Sequence, residues 1–438
     1  MRGMITIGLL LSGAAQAGAL EDGIAALQAG AHAEARTLLR AAAAEDPTSA
    51  DAWWELGWAE WVLSDYAAAG AAWENVKALD PERAELEHWL RVATTRQLLG
   101  AVDTSGAAVP VEPVGKGLTL AAAGDTMMGS DLRKGSAGLA PGNGEVLFAD
   151  VADIFAAADV AFLNLEGTLS DDLPQTKCGP ASSSCYSFRT PVRYTAALQS
   201  ASIDVVSNAN NHAMDLGEAG MDATLAALDA AGIAHTARYG DIAMLERDGL
   251  KIAVVGAHSG SCCLNVNRIE EVQGAIVQAD ATADLVIFTF HGGAEGSGAR
   301  HVPGRTEIAW GERRGDVEAL SRAAVDAGAD LVIGHGPHVL RAMEVYRGRL
   351  IAYSLGNFVG FRQFGTRGGH GGTSLILETE LAGNGVLIAA RLHPVMLDGE
   401  GKPRRDPEGA AFASIQELSD ADYPDSGVTV GLDGTLSW

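Results

Sequence analysis

Six clusters of residues that could bind a metal or transfer a proton are spread through the middle of the sequence, and each follows a short apolar run. They combine carboxylates, amides and imidazoles with glycines, and they are Gly124-Asp125, Asn164-Leu165-Glu166, Asn208-Ala209-Asn210-Asn211-His212 with Asp215, His291-Gly292-Gly293-Ala294-Glu295, Gly334-His335-Gly336-Pro337-His338 and Leu355-Gly356-Asn357. Oxygen and imidazole ligands suit divalent cations such as Mn, Fe, Zn or Mg. The sequence therefore predicts a site for one or two divalent metal ions.

Taken one at a time, these residues have ordinary structural explanations. An Asp after a strand often caps a helix, a buried His is commonly satisfied within a core, and an Asn is frequent in turns. These explanations stay open for Glu295 and Asn357 in particular. Because all six clusters fall at the ends of apolar runs, the pattern favours one shared polar site.

The apolar runs have the length and composition of buried strands, and helical stretches alternate with them. The predicted strands are 118–123, 160–163, 205–207, 252–257, 285–290, 331–333 and 350–354, and the predicted helices are 152–158, 191–201, 218–231 and 315–327. Residues 374–380 and 386–394 predict a closing β-hairpin. This alternation indicates a layered α/β domain over residues 117–400. In such sheets ligands bind at the carboxyl ends of strands, so distant residues converge on one crevice.

The start of the chain has the features of an export signal. A short positive start and an apolar run lead to Ala15-Gln16-Ala17, a small-x-small cleavage site. We expect residues 1–17 to be a cleaved signal peptide rather than a membrane anchor, because the run is too short to span a bilayer. The mature chain is then expected to be periplasmic or secreted, with no membrane span.

Residues 18–100 are rich in Ala, Leu, Glu and Trp, which favours helices, and they repeat. Asp46-Pro47 recurs as Asp80-Pro81, 34 residues later. This period resembles tetratricopeptide repeats, which usually bind a protein partner on a concave face, and a helical cap for the next domain is the alternative. Residues 101–116 have a linker composition, and we assign no role to residues 401–438.

Charge and cysteines restrict the partners. The net charge of −25 disfavours nucleic acid and anionic membrane surfaces, but it allows an anionic polymer or a small anionic substrate beside a metal. Cys178 and Cys185 flank a short polar loop and are expected to form a disulfide. Cys262 and Cys263 are neighbours whose mutual bridge would be strained, so they are free or paired with the other two. A zinc site of four thiolates is a further alternative, although the spacings are not those of a zinc ribbon.

The order and the residues of the six clusters resemble the successive motifs of the poly-γ-glutamate capsule biosynthesis (CapA-type) family. That family looks like a branch of the calcineurin-like metallophosphoesterase superfamily. The motifs span about residues 117–395 and are Gly-Asp-x-Met, Asn-Leu-Glu, Asn-Asn-His-x-x-Asp-x-Gly, His-x-Gly-x-Glu, Gly-His-x-Pro-His and Tyr-Ser-Leu-Gly-Asn-Phe. Gly292 stands where the family usually has an aromatic residue, and Gly336 where it usually has a second His. Met127 replaces the superfamily's first-motif His, which leaves one ligand unassigned.

The resemblance implies a four-layer β-sandwich flanked by helices and a role for each polar residue. The implied metal ligands are Asp125, Glu166, Asn211, His291, His335 and His338. His212 would be the catalytic acid, and Asp215 could orient its imidazole. Four residues are expected to contact the substrate, and they are Arg189, Asn164, Glu295 and Asn357. For Arg189 an ordinary surface charge is the alternative.

Two functions from different classes are consistent with these residues. The first is a metal-dependent hydrolase acting on a phosphoester or an amide of an anionic cell-surface polymer. The second is a non-catalytic assembly or anchoring factor for capsule polymer synthesis and export. The Asn211-His212 pair favours the enzyme, because a protein that only binds does not need an acid beside a ligand.

Overall fold

The computed structural model describes residues 12–99, 112–132, 138–172, 176–178, 185–362 and 369–438. The chain divides into two compact units, Met1–Asp103 and Thr104–Trp438. Residues 1–11 of the expected signal peptide and residues 101–111 of the expected linker lie outside the described residues. None of the described helices is long and apolar enough to cross a bilayer.

The first unit is helical, as the composition predicts. Its helices are α1 (Ser12–Gln28), α2 (His32–Glu45), α3 (Ala50–Val62), α4 (Tyr66–Leu79) and α5 (Leu86–Leu99), and each packs against the next. Ser49 and Asp65 cap α3 and α4 by accepting hydrogen bonds from backbone N–H groups three residues on. The repeated Asp-Pro steps follow α2 and α4, so equivalent sequence positions end equivalent helices.

Aromatic packing holds α3, α4 and α5 together. The rings in contact belong to Trp54, Trp58, Trp61, Trp73 and Trp89. Trp73 is fully buried and lies so close to Gly57 that a Cβ there would come within 2.1 Å of its Nε1. A glycine in the middle of α3 therefore makes room for the indole.

The second unit is α/β. Its helices are α6 (Ala152–Ala157), α7 (Thr195–Ser200), α8 (Gly217–Ala231), α9 (Ile269–Asp280), α10 (Val317–Asp326) and α11 (Ala410–Asp422). Its strands are β1 (Leu118–Met127), β2 (Gly129–Ser130), β3 (Gly138–Leu139), β4 (Val160–Leu165), β5 (Thr168–Leu169), β6 (Arg189–Thr190), β7 (Val205–Ser207), β8 (Ala234–Thr236), β9 (Ile242–Arg247), β10 (Leu250–His258), β11 (Leu264–Asn265), β12 (Leu285–His291), β13 (Ile308–Ala309), β14 (Glu312–Arg313), β15 (Leu331–His335), β16 (Met343–Tyr346), β17 (Arg349–Ala352), β18 (Asn357–Gly360), β19 (Thr373–Leu381), β20 (Leu387–Leu397), β21 (Pro403–Arg405), β22 (Thr429–Val430) and β23 (Leu436–Ser437).

Two large sheets organise this unit. The first has the order β21-β20-β19-β1-β4-β7-β8, and β18 also pairs with β1. The second has the order β11-β10-β12-β15-β17-β16, and β9 also pairs with β10. All seven predicted strands and the predicted hairpin are present. The predicted helix 191–201 is shorter, because Tyr194 N–H bonds to Pro191 O in a 3₁₀ turn before α7 begins.

The two sheets face each other across one hydrophobic core. Leu120 and Phe162 of the first sheet share that core with Val254, Ile287 and Ile333 of the second. The opposite face of the first sheet packs against α6, α7 and α8, while α9 and α10 pack on the second sheet. Helices therefore cover both outer faces, because buried parallel strands are apolar on both sides.

Residues 401–438, to which the sequence assigns no role, are part of the second unit. β21 is the edge strand of the first sheet, and α11 contributes Ala411 and Ile415 to the core between the sheets. This segment therefore extends the α/β unit beyond residue 400.

Candidate metal centre

The ends of parallel strands bring the predicted ligands together. Asp125 lies near the end of β1, where it pairs with Asn164 of β4. His291 and His335 are the last residues of β12 and β15 and are Cα partners in the second sheet. Glu166 follows β4 directly. The candidate site therefore draws on both sheets at their carboxyl edges.

Five of the predicted ligands form one buried cluster, and Asp125 is its centre. His338 Nδ1 lies 2.9 Å from Asp125 Oδ2 and 3.9 Å from Glu166 Oε2. His291 Nδ1 lies 3.8 Å from Asp125 Oδ1, and its Nε2 lies 3.5 Å from Glu166 Oε1. His335 Nδ1 lies 3.7 Å from Asp125 Oδ1. We call these five residues the strand-end cluster.

Several ligand atoms of the strand-end cluster are buried and find no hydrogen-bond partner among the described residues. They are both carboxylate oxygens of Glu166, Nε2 of His291 and both ring nitrogens of His335. Burying a polar atom unpaired costs free energy, and native proteins avoid it unless a water, an ion or a ligand completes the site. Ligand atoms of Asp125, Glu166 and His291 also lie within 4.8 Å of one another. The donors therefore fit a divalent cation.

The carboxylates and imidazoles of the strand-end cluster shift one another's pKa values. Burial alone would raise the pKa of Asp125, but the imidazoles, His338 foremost, hold it below its ordinary value. Burial and the Asp125 carboxylate raise the pKa of Glu166 to about 8. At His338 burial opposes the charge, but Glu166 and Asp125 outweigh it and raise the pKa to about 10. Burial lowers the pKa of His335 to about 4, so this imidazole is a neutral ligand at pH 7.

His212 and Asp215 form a hydrogen-bonded pair beside the predicted ligand Asn211. His212 Nδ1 lies 2.9 Å from Asp215 Oδ2, and the same oxygen accepts the Phe188 N–H at 2.6 Å. The Phe188 ring packs against the imidazole with centroids 4.3 Å apart. Burial lowers the pKa of His212, although Asp215 opposes that effect. Because the carboxylate occupies Nδ1, Nε2 is the nitrogen left for proton transfer.

Lys177, which the sequence did not single out, anchors this pair. Its Nζ lies 2.6 Å from Asp215 Oδ1 and donates to Asn211 O at 2.9 Å. The next residue, Cys178, forms a disulfide with Cys185, which confirms the predicted bridge. In the sequence, the neighbouring Cys178 could have drawn attention to Lys177, because a disulfide restrains the residues beside it.

The asparagines that precede His212 have separate tasks. Asn210 Nδ2 donates to Asn164 Oδ1 at 3.1 Å and to Leu165 O at 2.8 Å, and its Oδ1 accepts the His212 N–H at 3.0 Å. Asn210 therefore joins the strand-end cluster to the His212–Asp215 pair, a role that the sequence did not separate from its neighbours. Asn211 Oδ1 is buried and has no hydrogen-bond partner in the described part of the chain. It keeps the amide oxygen that a ligand role requires.

Two of the predicted substrate contacts lie against the predicted metal ligands. Asn164 Nδ2 donates to Asp125 Oδ1 at 2.8 Å and lies 3.2 Å from His291 Nδ1. Asn357 Nδ2 donates to the carbonyl oxygens of His338 at 3.2 Å and Gly371 at 3.0 Å. His338 has a φ of +59°, an unusual backbone conformation for a side chain of this size. Both asparagines therefore hold ligands in place.

The other two predicted substrate contacts are engaged elsewhere. Arg189 is buried, pairs with Asp131 and donates to the carbonyl oxygens of Ser170 and Asp171. Both oxygens of Glu295 accept hydrogen bonds, from Trp310 Nε1 at 2.8 Å and from the Arg314 guanidinium at 2.9 Å. The structure thus gives Arg189 the role of joining two loops. Glu295 ties the loop after β12 to the β13–β14 region.

Gly292 and Gly336, the two departures from the family pattern, meet in space. A Cβ on Gly336 would lie 2.8 Å from Gly292 O, and the φ of Gly336 is +109°. A Cβ on Gly292 would lie 2.8 Å from Arg314 O, which accepts the Gly293 N–H. The segment around Arg314 therefore excludes an aromatic side chain at position 292. The two glycines therefore approach each other closely, and neither position has room for a larger side chain.

Comparisons with known proteins agree with the motifs. A family model described as bacterial capsule synthesis protein PGA_cap matches residues 119–361, more than half of the chain. The capsule biosynthesis protein CapA of Bacillus anthracis is 30% identical over 227 residues, covering 47% of this chain and 51% of that protein. The PGA biosynthesis protein CapA of Bacillus subtilis is 31% identical over 261 residues, covering 56% and 63%. A probable polyglutamine synthesis accessory protein of Mycobacterium tuberculosis is 28% identical over 232 residues, covering 46% and 56%.

The matched region contains the whole strand-end cluster, Asn211 and the His212–Asp215 pair. The chain spans between about half and two thirds of the length of the curated relatives it matches. On the extent of the family match, this chain belongs to the bacterial capsule synthesis protein (PGA_cap) family.

Proposed function

We propose that the chain is a metal-dependent hydrolase that acts on a phosphoester or an amide of an anionic cell-surface polymer of the capsule or poly-γ-glutamate type. The observation that carries this proposal is the strand-end cluster, whose buried ligand atoms lack partners while a His–Asp pair lies one residue from Asn211. The names of the two CapA relatives support a capsule-related substrate. The core shared by the two sheets supports a metallophosphoesterase-like sandwich.

The proposed centre holds one or two divalent ions. Its ligands are Asp125, Glu166, Asn211, His291, His335 and His338, and the ion is Mn, Fe, Zn or Mg. A bound cation supplies Lewis acidity and lowers the pKa of water to about 7. Asp125 directs Oδ1 toward His291 and Oδ2 toward His338, and the hydrogen bond from Asn164 keeps that carboxylate oriented.

His212 supplies the proton in the proposed reaction. Its Nε2 delivers the proton to the leaving group, while Asp215 holds Nδ1 and fixes the orientation of the ring. Lys177 and the Phe188 N–H hold Asp215 in turn. Burial lowers the pKa of His212, which makes its protonated form a readier donor.

Export and the helical unit complete the proposal. The apolar start and the Ala-Gln-Ala step support secretion to the periplasm or medium. The 34-residue spacing of α2 and α4 supports a tetratricopeptide-like unit that binds a protein partner.

A non-catalytic assembly or anchoring factor is the second candidate. The relative from Mycobacterium tuberculosis carries the name of a synthesis accessory protein, which favours this reading. In that case the cluster would bind a metal for stability or for holding a polymer, and His212 would have no proton to deliver.

A substrate screen on the purified full chain separates the two candidates. Metal-free protein is reloaded with Mn²⁺, Zn²⁺ or Mg²⁺ and assayed on phosphomonoesters, phosphodiesters and γ-glutamyl amides. The hydrolase proposal expects metal-stimulated turnover of one class and its loss in His212→Ala with metal content unchanged. If the wild type binds metal but hydrolyses none of these substrates, the accessory role replaces the hydrolase proposal.

A further inference from the structure

A second cluster of metal-ligand residues lies beside the first, and it contains sulfur. His258, Cys262 and Cys263 offer ligand atoms that lie within 4.8 Å of one another. His258 ends β10 and is the Cα partner of His291 on β12, so both clusters occupy the same sheet edge. Cys262 and Cys263 are not disulfide-bonded. The strand-end cluster and the hydrolase proposal use none of these three residues.

The separations in this second cluster suit a tetrahedral ion. Cys262 Sγ lies 3.4 Å from His258 Nε2. With a Zn–S bond of about 2.3 Å and a Zn–N bond of about 2.0 Å, tetrahedral geometry separates a sulfur from a nitrogen by about 3.5 Å. His258 and Cys263 are buried, and Cys262 is half-buried. Three protein ligands of this kind leave a fourth coordination position for water or a further ligand.

The ring of His258 is held with Nε2 toward Cys262. Its Nδ1 lies 3.0 Å from the Gly260 nitrogen, and its Nε2 lies 3.4 Å from Cys262 Sγ. Nε2 is therefore the ring nitrogen that a cation beside Cys262 would meet, and Nδ1 would then carry the ring proton.

We propose that His258, Cys262 and Cys263 form a second metal site that takes a thiophilic cation of the zinc class. Thiolate and imidazole favour such ions, and the strand-end cluster offers no sulfur. The bridge that would compete, a disulfide between adjacent cysteines, is strained. The two sites therefore differ in their ligand atoms, and the second does not depend on the chain being a hydrolase.

Cobalt titration of the reduced, metal-free full chain tests this site, because Co²⁺ bound by thiolate gives a charge-transfer absorption that carboxylate sites lack. We expect this absorption to rise to saturation as cobalt is added to the wild type and to disappear in Cys262→Ser and in Cys263→Ser. His258→Gln should weaken cobalt binding at least about tenfold. Asp125→Asn, which alters the strand-end cluster, should leave the absorption unchanged.

A matched control removes the other two cysteines. The double variant Cys178→Ser/Cys185→Ser should keep the full absorption, since those sulfurs are paired with each other in the structure and are not part of the second cluster. Competition by Zn²⁺ should abolish the signal. The proposal is overturned if the wild type shows no thiolate absorption, if the signal survives in both single serine variants, or if peptide mapping of the protein purified without reductant finds Cys262 and Cys263 bridged.

Discussion

The strand-end cluster and the His212–Asp215 pair are both buried and polar, but the protein satisfies them to different degrees. Asp215 is bound by His212, Lys177 and the Phe188 N–H. In the strand-end cluster, both oxygens of Glu166 and the ring nitrogens of His335 lack such partners within the described chain. Asp215 Oδ1 has no geometric hydrogen bond but faces Lys177 Nζ at 2.6 Å, whereas no cation of the described chain lies that close to Glu166 or His335.

This difference fits the two tasks of the proposed site. A proton donor must be held in one orientation before the reaction, and His212 and Asp215 are held by each other and by the Phe188 N–H. Metal ligands must leave their lone pairs available, so the protein alone leaves them unsatisfied. Asn210 links the groups through Asn164 and the His212 N–H, which keeps their spacing fixed.

The largest effect is expected from His212→Ala, which separates turnover from metal binding. It should lower kcat by about 10²–10⁴-fold, because proton transfer to the leaving group is lost. Metal content should not change, since His212 is not one of the proposed ligands. His235→Ala is the matched control, because His235 also pairs with a carboxylate, Asp229, at 3.1 Å. An equal loss in both variants would contradict the assignment.

The pH dependence of metal binding tests the strand-end cluster and does not involve the His212–Asp215 pair. The pKa of Glu166 is raised to about 8 and that of His338 to about 10, so both are protonated in the metal-free protein at pH 7. A dication must displace two protons, so below pH 8 affinity should fall by up to about 100-fold for each unit of pH. The dependence should weaken between pH 8 and 10. Calorimetric titrations at pH 6, 7 and 8 that give one affinity would contradict it.

A smaller effect is expected when the His212–Asp215 pair loses the lysine that anchors it. Lys177→Met removes the cation that holds Asp215, and we expect turnover to fall about tenfold, as is usual for outer partners of a site. Metal affinity should stay the same. Lys116→Met is the control, because Lys116 forms an exposed pair with Asp248. If kcat is unchanged while only thermal stability falls, Lys177 has no part in positioning His212.

The smallest effect is expected from removing the helical unit. Deleting residues 19–103 should change metal affinity by no more than about twofold, because each unit has its own core. Calorimetry on the truncated and full chains measures this. A truncated protein that folds but binds no metal would show that the helices contribute to the centre.

The sequence predicted which polar residues meet better than it predicted the residues that support them. Asp125, His291 and His335 could be located because apolar strands precede them and parallel strands end at one edge. The pairing of Arg189 with Asp131 could not be predicted, since it depends on how two loops fold together. The meeting of Gly292 with Gly336 likewise depends on the position of Arg314 in three dimensions.

Supporting residues were missed for a similar reason. Lys177 stands in no motif. Its contact with Asp215 depends on how the segment beside the Cys178–Cys185 bridge lies against the loop after β7. Asn210 and Asn211 are adjacent residues of one type, so only hydrogen bonding distinguishes the linking side chain from the one whose oxygen is available.

The manganese content of the purified full chain tests the metal centre most directly. Wild type, Asp125→Asn and His335→Ala are loaded with Mn²⁺, dialysed and measured by elemental analysis, with His393→Ala, which pairs with Glu378 away from the cluster, as control. We expect one or two ions per chain in the wild type and the control, and a loss of most of them in Asp125→Asn and His335→Ala. Full manganese content in both cluster variants would contradict the assignment of the strand-end cluster as a metal centre.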